Sequence, residues 1–237
     1  MNRSLKLLAS LLTLSAAGLL HGAPEAKPVL PVISIQQVVT KDPTNYAMWI
    51  ARNNEVIKGK LGVEKFFRVY LGQAAGEDAG AVFAVMAADS FATLTKSWQA
   101  VQDDPAAADS RSHLNAIRDL GPRTLLKAVR YDGANPGASL FNTLALLSDE
   151  AGYLKATDQL RLLLDTHDLK DAKINVYRVT AGRCTYSHLV SINLPSEERL
   201  AVFLDAMTTE PAFADWVAAA GKYRTVVRNG TYREITR

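Results

Sequence analysis

The sequence predicts an α+β fold in which one βαββαβ unit occurs twice in a single chain. Three observations carry that expectation. Strand-length and helix-length apolar patterns alternate in the same order in both halves. Residues of like character recur at a displacement of 106 or 107 positions. The strands carry apolar side chains on both parities, as in Val82, Phe83, Val85 and Met86 or Leu140, Phe141, Leu144 and Leu147, so neither face of either sheet is suited to water.

In the first unit, the β-branched run from Val32 to Val39 reads as a strand, and Pro43 to Lys60 reads as a helix with Asp42 as N-cap and Gly62 as its stop. Phe66 to Leu71 and Ala81 to Ala87 are apolar runs joined by a polar loop containing glycine, which signals a hairpin. A second helix opens at Ser90, with Phe91, Leu94, Trp98 and Val101 on one face. Pro105 interrupts it, an Ala-rich helical segment continues to Asp119, Gly121-Pro122 ends it, and Thr124 to Tyr131 is the fourth strand.

The second unit follows the same order: strand Ser139 to Leu147, helix Glu150 to Thr166, strands Lys173 to Thr180 and Ser187 to Leu194, a helix capped by Ser196, and a last strand within Thr225 to Ile235. A displacement of 106 carries Leu94, Trp98, Val101 and Pro105-Ala106 onto Leu200, Leu204, Met207 and Pro211-Ala212. A displacement of 107 carries Tyr46, Val69 and Tyr70 onto Tyr153, Val176 and Tyr177. The units are therefore expected over residues 32–131 and 138–237, joined by the turn-forming linker 132–137. A lone βαββαβ unit leaves one sheet face bare, so the two open faces are expected to pack on each other.

Composition excludes several classes. With one Cys, Cys184, in 237 residues there is no internal disulfide, and the 27 Lys and Arg are dispersed among 24 Asp and Glu, which argues against nucleic-acid binding. Arg3 and Lys6 followed by the charge-free run Leu7 to Leu20 and the small residues Gly22 and Ala23 read as a secretory signal over residues 1–22. The run is too short for a membrane span, so a periplasmic or secreted protein without a span after cleavage is expected. Removing those residues leaves 25 basic against 24 acidic groups. The proline-rich stretch 23–31 reads as an extended lead-in.

The doubled βαββαβ order, together with the stretch Met207 to Trp216 containing Glu210-Pro211-Ala212-Phe213 and Trp216, resembles the dimeric α/β-barrel superfamily of ferredoxin-like units. That group holds antibiotic-biosynthesis-monooxygenase-like and NIPSNAP-like domains, here in tandem. The resemblance covers residues 32 to 237 and implies a pocket more than a reaction, because the superfamily includes cofactor-independent monooxygenases, haem-degrading enzymes, isomerases and ligand-sensing modules. It also implies a monomer, since a tandem chain supplies both halves of the barrel.

No catalytic residue is assigned from the sequence. His-Glu-x-x-His, paired-Cys, Walker, Gly-x-Ser-x-Gly and dinucleotide motifs are absent, and no metal is expected. The haem-degrading relatives use an Asn on the first strand with a Trp and a His on the second helix. Trp98 and His113, with Gln36 or Gln37, match that set in part, as do Asn142 and Trp216 without a His.

Differences between the repeats point elsewhere. Asn53 and Trp49 stand where repeat 2 has Leu160 and Ala156, and His188 stands where repeat 1 has Val82. A pocket for a small apolar or aromatic molecule is therefore expected between the sheet and helices of repeat 1, with Trp49, Asn53, Arg68, Tyr70, Trp98 and His113 as candidate contacts. Three functions remain open at this point: a small-molecule-binding or cofactor-independent monooxygenase-like protein, a haem-binding or haem-degrading protein, and a non-catalytic envelope module with a fully packed barrel.

Overall fold

The computed structural model describes residues 30–63, 66–182 and 184–236; the signal-like segment and most of the lead-in lie outside them. The elements run β1 (Val32–Thr40), α1 (Pro43–Leu61), β2 (Phe67–Gly72), β3 (Val82–Ala88), α2 (Phe91–Gln102), α3 (Ala108–Ile117) and β4 (Arg118–Tyr131), then β5 (Ser139–Leu147), α4 (Glu150–Thr166), β6 (Lys173–Ala181), β7 (His188–Leu194), α5 (Glu197–Thr209), α6 (Pro211–Ala220) and β8 (Arg224–Glu234). The eight strands close into one barrel in the order β1-β3-β2-β8-β5-β7-β6-β4, with every pairing antiparallel.

Within that ring, β4-β1-β3-β2 and β8-β5-β7-β6 are the same four-strand order, and each half meets the other through equivalent seams, β2 on β8 and β6 on β4. The β4–β6 seam is long, Leu125 to Tyr131 against Asn175 to Ala181. The β2–β8 seam pairs Tyr70 to Gly72 with Tyr232 to Glu234 and is extended by backbone bonds from Gln73 N–H to Thr231 and from Thr231 N–H to Ala74. Closure leaves no free edge among these strands.

The helices start where the sequence supplies caps. Asp42, Ser90, Asp149 and Ser196 each accept a hydrogen bond from the backbone N–H three residues on. Gly62 ends α1 at φ 66°, a conformation that favours glycine. Each half then buries its own core between helices and sheet: Tyr46, Ile57, Val69, Met86, Leu94 and Leu114 in the first, and Tyr153, Leu160, Leu164, Val176, Phe203 and Phe213 in the second.

One boundary differs from the sequence reading. Helix α3 ends at Ile117 and β4 begins at Arg118, so Gly121-Pro122 lies inside the strand and does not end the helix. The pair falls where the β1–β4 register shifts between Gln36 and Val38, and the Gln36 side-chain amide donates to the Gly121 carbonyl at 2.6 Å. A Cβ at Gly121 would stand 3.2 Å from the Gln37 Cβ, so a larger residue there would push Gln37 aside by a few tenths of an ångström.

The linker is part of the barrel end. The Asn135 backbone N–H donates to Asn193 Oδ1, its side-chain amide donates to the carbonyls of Asp171 and Asn193, and its carbonyl accepts from Arg68. At the other end of repeat 2, His188 on β7 bonds Glu150 at 2.8 Å through Nε2 and Ser187 Oγ at 2.8 Å through Nδ1, while Arg178 clamps Glu150. The Ser-His-Glu order is that of a hydrolase triad. Here, however, Ser187 Oγ also accepts the Leu147 N–H and sits 3.3 Å from the Ala145 carbonyl, so it ties strand ends together.

The hydrogen bond from Arg178 and that from His188 hold the Glu150 carboxyl below the usual glutamate range. A depressed carboxylate contributes stability above its unfolded pKa and loses it as pH falls through the folded one. Glu150→Gln is therefore expected to lower Tm at neutral pH, with the gap to the parent protein closing below the ordinary glutamate range; thermal melts across that range check it.

Candidate ligand-binding site

Side chains alternate across each strand, so closure divides them into one set facing the helices and one facing the barrel interior. The interior set does not fill the space. A cavity of about 350 Å³ lies there, lined from repeat 1 by Ile33 and Ile35 of β1, Arg68 and Tyr70 of β2, and Phe83, Val85 and Ala87 of β3. Repeat 2 contributes Leu140, Asn142 and Leu144 of β5, Asn175 and Tyr177 of β6, Leu189, Ser191 and Asn193 of β7, and Arg228 and Tyr232 of β8. An unfilled apolar space costs on the order of several kcal/mol at this size, a sizeable share of a domain's stability. Water on the polar wall offsets part of it.

Each end of the cavity carries an arginine already matched to a carboxylate. At the end where β1 and β5 begin, Arg68 donates to Glu234 Oε2 at 3.3 Å and to the Asn135 carbonyl at 3.1 Å. Toward the opposite end, Arg228 meets Asp78 at 2.9 Å, and the Tyr232 hydroxyl donates to the same carboxylate at 3.2 Å. Asp78 belongs to the short 3-10 turn Gly76–Asp78 that folds over the β2–β8 seam.

The interior phenols are held protonated. Burial, then the Glu234 charge, pushes Tyr70 up to about 12 against the opposing effect of Arg68. Tyr186 is likewise pushed up to about 12, first by burial and then by Cys184, while burial raises Tyr177 and Tyr232 as well. These groups can donate hydrogen bonds at neutral pH and do not act as bases there.

The six candidates from the sequence are split by the sheet. Arg68 and Tyr70 line the cavity. Trp49, Asn53, Trp98 and His113 lie on the helical side of repeat 1. Trp49 stacks on His113 at 4.1 Å with Arg52 over its ring at 4.1 Å, and Trp98 packs edge-on to Phe67. The expected pocket between the sheet and helices of repeat 1 is thus replaced by a cavity on the other face of that sheet, because the helix-side residues interlock as core. Asn53 is 3% exposed and its Oδ1 has no partner among the described residues, whereas the adjacent Asn54 bonds both the N–H and the carbonyl of Phe67.

The sequence reading named Asn142 only in the haem comparison and missed the other polar residues of the inner face of repeat 2, Ser191 and Asn193. The displacement it already used would have found them: Asn142, Ser191 and Asn193 stand where repeat 1 has Ile35, Val85 and Ala87.

Haem is not matched by these residues. Among the described residues no histidine lines the cavity. His113 Nδ1 is engaged with Asp109, His167 packs beside Phe213, and both ring nitrogens of His188 are bonded. Tyrosine ligates haem iron as phenolate, which burial opposes here. Among the described residues no group of three His, Cys, Asp or Glu could hold a metal ion.

No family model matches the chain, and no curated protein matches it in sequence. Solved structures match in fold. A candidate monooxygenase of Lactobacillus acidophilus aligns with TM-score 0.55 at 9% identity over 86% of this chain and 93% of its own. One from Fusobacterium nucleatum gives 0.53 at 9% over 87% and 92%. An anthrone oxidase-like protein gives 0.52 at 11% over 88% and 92%. The chain has the dimeric α/β-barrel fold of ferredoxin-like units in tandem form, and these neighbours share that fold.

A buried amide oxygen without a partner costs about 1–3 kcal/mol. Asn53→Leu, which copies the residue of repeat 2, is therefore expected to raise Tm by a few degrees, read by calorimetry; a fall in Tm would mean that Asn53 has a structural partner.

Proposed function

We propose that the protein is an exported small-molecule-binding protein, monooxygenase-like in fold, whose ligand occupies the barrel interior. The single observation behind this reading is the cavity of about 350 Å³, a volume within the usual range for small-molecule sites, with an apolar wall and convergent polar groups. A fully packed barrel, the basis for a purely structural module, is disfavoured by the same space. Export is supported by the signal-like start, and a monomer by a barrel that closes within one chain. No helix is long and apolar enough to cross a membrane among the described residues.

Oxygenation without a cofactor is the second reading, favoured by the interior phenols. It requires a substrate that loses a proton before giving electrons to dioxygen, and protonated Tyr70 and Tyr177 would stabilise such an anion. The proton acceptor is the weak point, since Asp78 and Glu234 are paired with Arg228 and Arg68, although Glu234 Oε1 has no partner among the described residues. Binding is therefore the primary role. Of the sequence candidates, Arg68 and Tyr70 serve as contacts, while Trp49, Asn53, Trp98 and His113 support the sheet from behind.

Native mass spectrometry of protein taken from its own host is expected to show a retained small molecule. Val85→Trp, which fills the cavity, is expected to remove it while the far-ultraviolet circular dichroism is unchanged. Equal retention by the filled variant would place the ligand elsewhere and contradict the proposal. Hemin titration is expected to give no Soret shift.

A further inference from the structure

We propose that the interior site selects an uncharged ligand with one hydrogen-bonding edge on an apolar skeleton, and that Asn142, Ser191 and Tyr177 read that edge. The inference rests on the interior-site reading and gives it a ligand class and an orientation. Under the repeat displacement, Asn142 corresponds to Ile35 and Ser191 to Val85, so the same fold position is polar on one wall and aliphatic on the other. Asn142 and Ser191 are direct partners across β5 and β7, and Tyr177 pairs with Leu189, two residues before Ser191 on β7. The three side chains therefore converge on one patch.

That patch is unspent. Among the described residues Asn142 Oδ1 is buried with no partner, and Ser191 and Tyr177 line the cavity beside it. A buried polar atom left open in this way is satisfied by a ligand or by water. The amide, hydroxyl and phenol together offer donors and acceptors, which suits a hydroxyl or carbonyl edge.

Charge selection follows from the ends. Arg68 is paired with Glu234 and Arg228 with Asp78, so neither brings a net positive charge to an anion entering the cavity, which must leave its hydration behind; the Arg228 Nε donor, without a partner among the described residues, can still serve a neutral acceptor. The facing apolar wall of Ile35, Phe83 and Val85 offers no hydrogen-bonding group to a second polar face.

The test uses three probes of one skeleton, 2-naphthol, naphthalene and 2-naphthoate, titrated calorimetrically into the purified protein at neutral pH. 2-Naphthol is expected to bind about tenfold more tightly than naphthalene, the yield of one well-placed hydrogen bond, and 2-naphthoate more weakly than either. Asn142→Ile with Ser191→Val, copying repeat 1, is expected to bring 2-naphthol down to the naphthalene level while naphthalene affinity holds. Should that pair not fold, Ser191→Ala alone is expected to cut the 2-naphthol preference by about threefold.

Equal binding of 2-naphthol and naphthalene, or tightest binding of 2-naphthoate, would overturn the inference and leave the interior site standing. Binding of none of the three would overturn both.

Discussion

The structure depends on one constraint: its strands are apolar on both faces. A two-layer unit can cover only one of those faces with helices, and the other must find a second sheet. Because the chain carries the unit twice, it satisfies the constraint internally, through the β2–β8 and β6–β4 seams. Everything else follows from that closure. It sorts each strand's side chains by parity into two helix-side cores and one interior, and it makes the interior a space whose walls come from both repeats.

Duplication also explains the asymmetry of that space. Helix-side positions must interlock in both halves, so they stay matched: Val69 with Val176, Tyr46 with Tyr153, Leu94 with Leu200. Interior positions are under no such demand, because an eight-stranded barrel can either fill its centre with side chains or hold one small ligand there. There the halves have diverged, one toward Ile35, Val85 and Ala87 and the other toward Asn142, Ser191 and Asn193. Tyr70 and Tyr177 are the exception, retained in both.

Much of the fold was legible in the sequence, and the reasons are local. Strand Ser139–Leu147 and helix Glu150–Thr166 end where they were expected, because Asp149 caps the helix and turn formers flank the strand. Gly121-Pro122 misled because a strand irregularity and a helix stop use the same residues. The site was only partly legible. Alternation tells which residues share a face, as Arg68 and Tyr70 do on β2. It does not tell which face looks onto empty space, and Asn53, the most conspicuous polar intrusion, sits in a packed core with its amide oxygen unpartnered among the described residues.

The claim that most needs testing is that ligand space lies inside the barrel and not between sheet and helices. Methyl-resolved nuclear magnetic resonance during a naphthalene titration addresses it directly. Ile33, Ile35, Leu140, Leu144 and Leu189 point inward, whereas Val38, Met86, Ile174 and Val190 face the helices. The account predicts saturable shifts confined to the first group. Shifts concentrated in Val38 and Met86, with Ile35 and Leu144 unmoved, would return the site to the helical side of repeat 1 and contradict it.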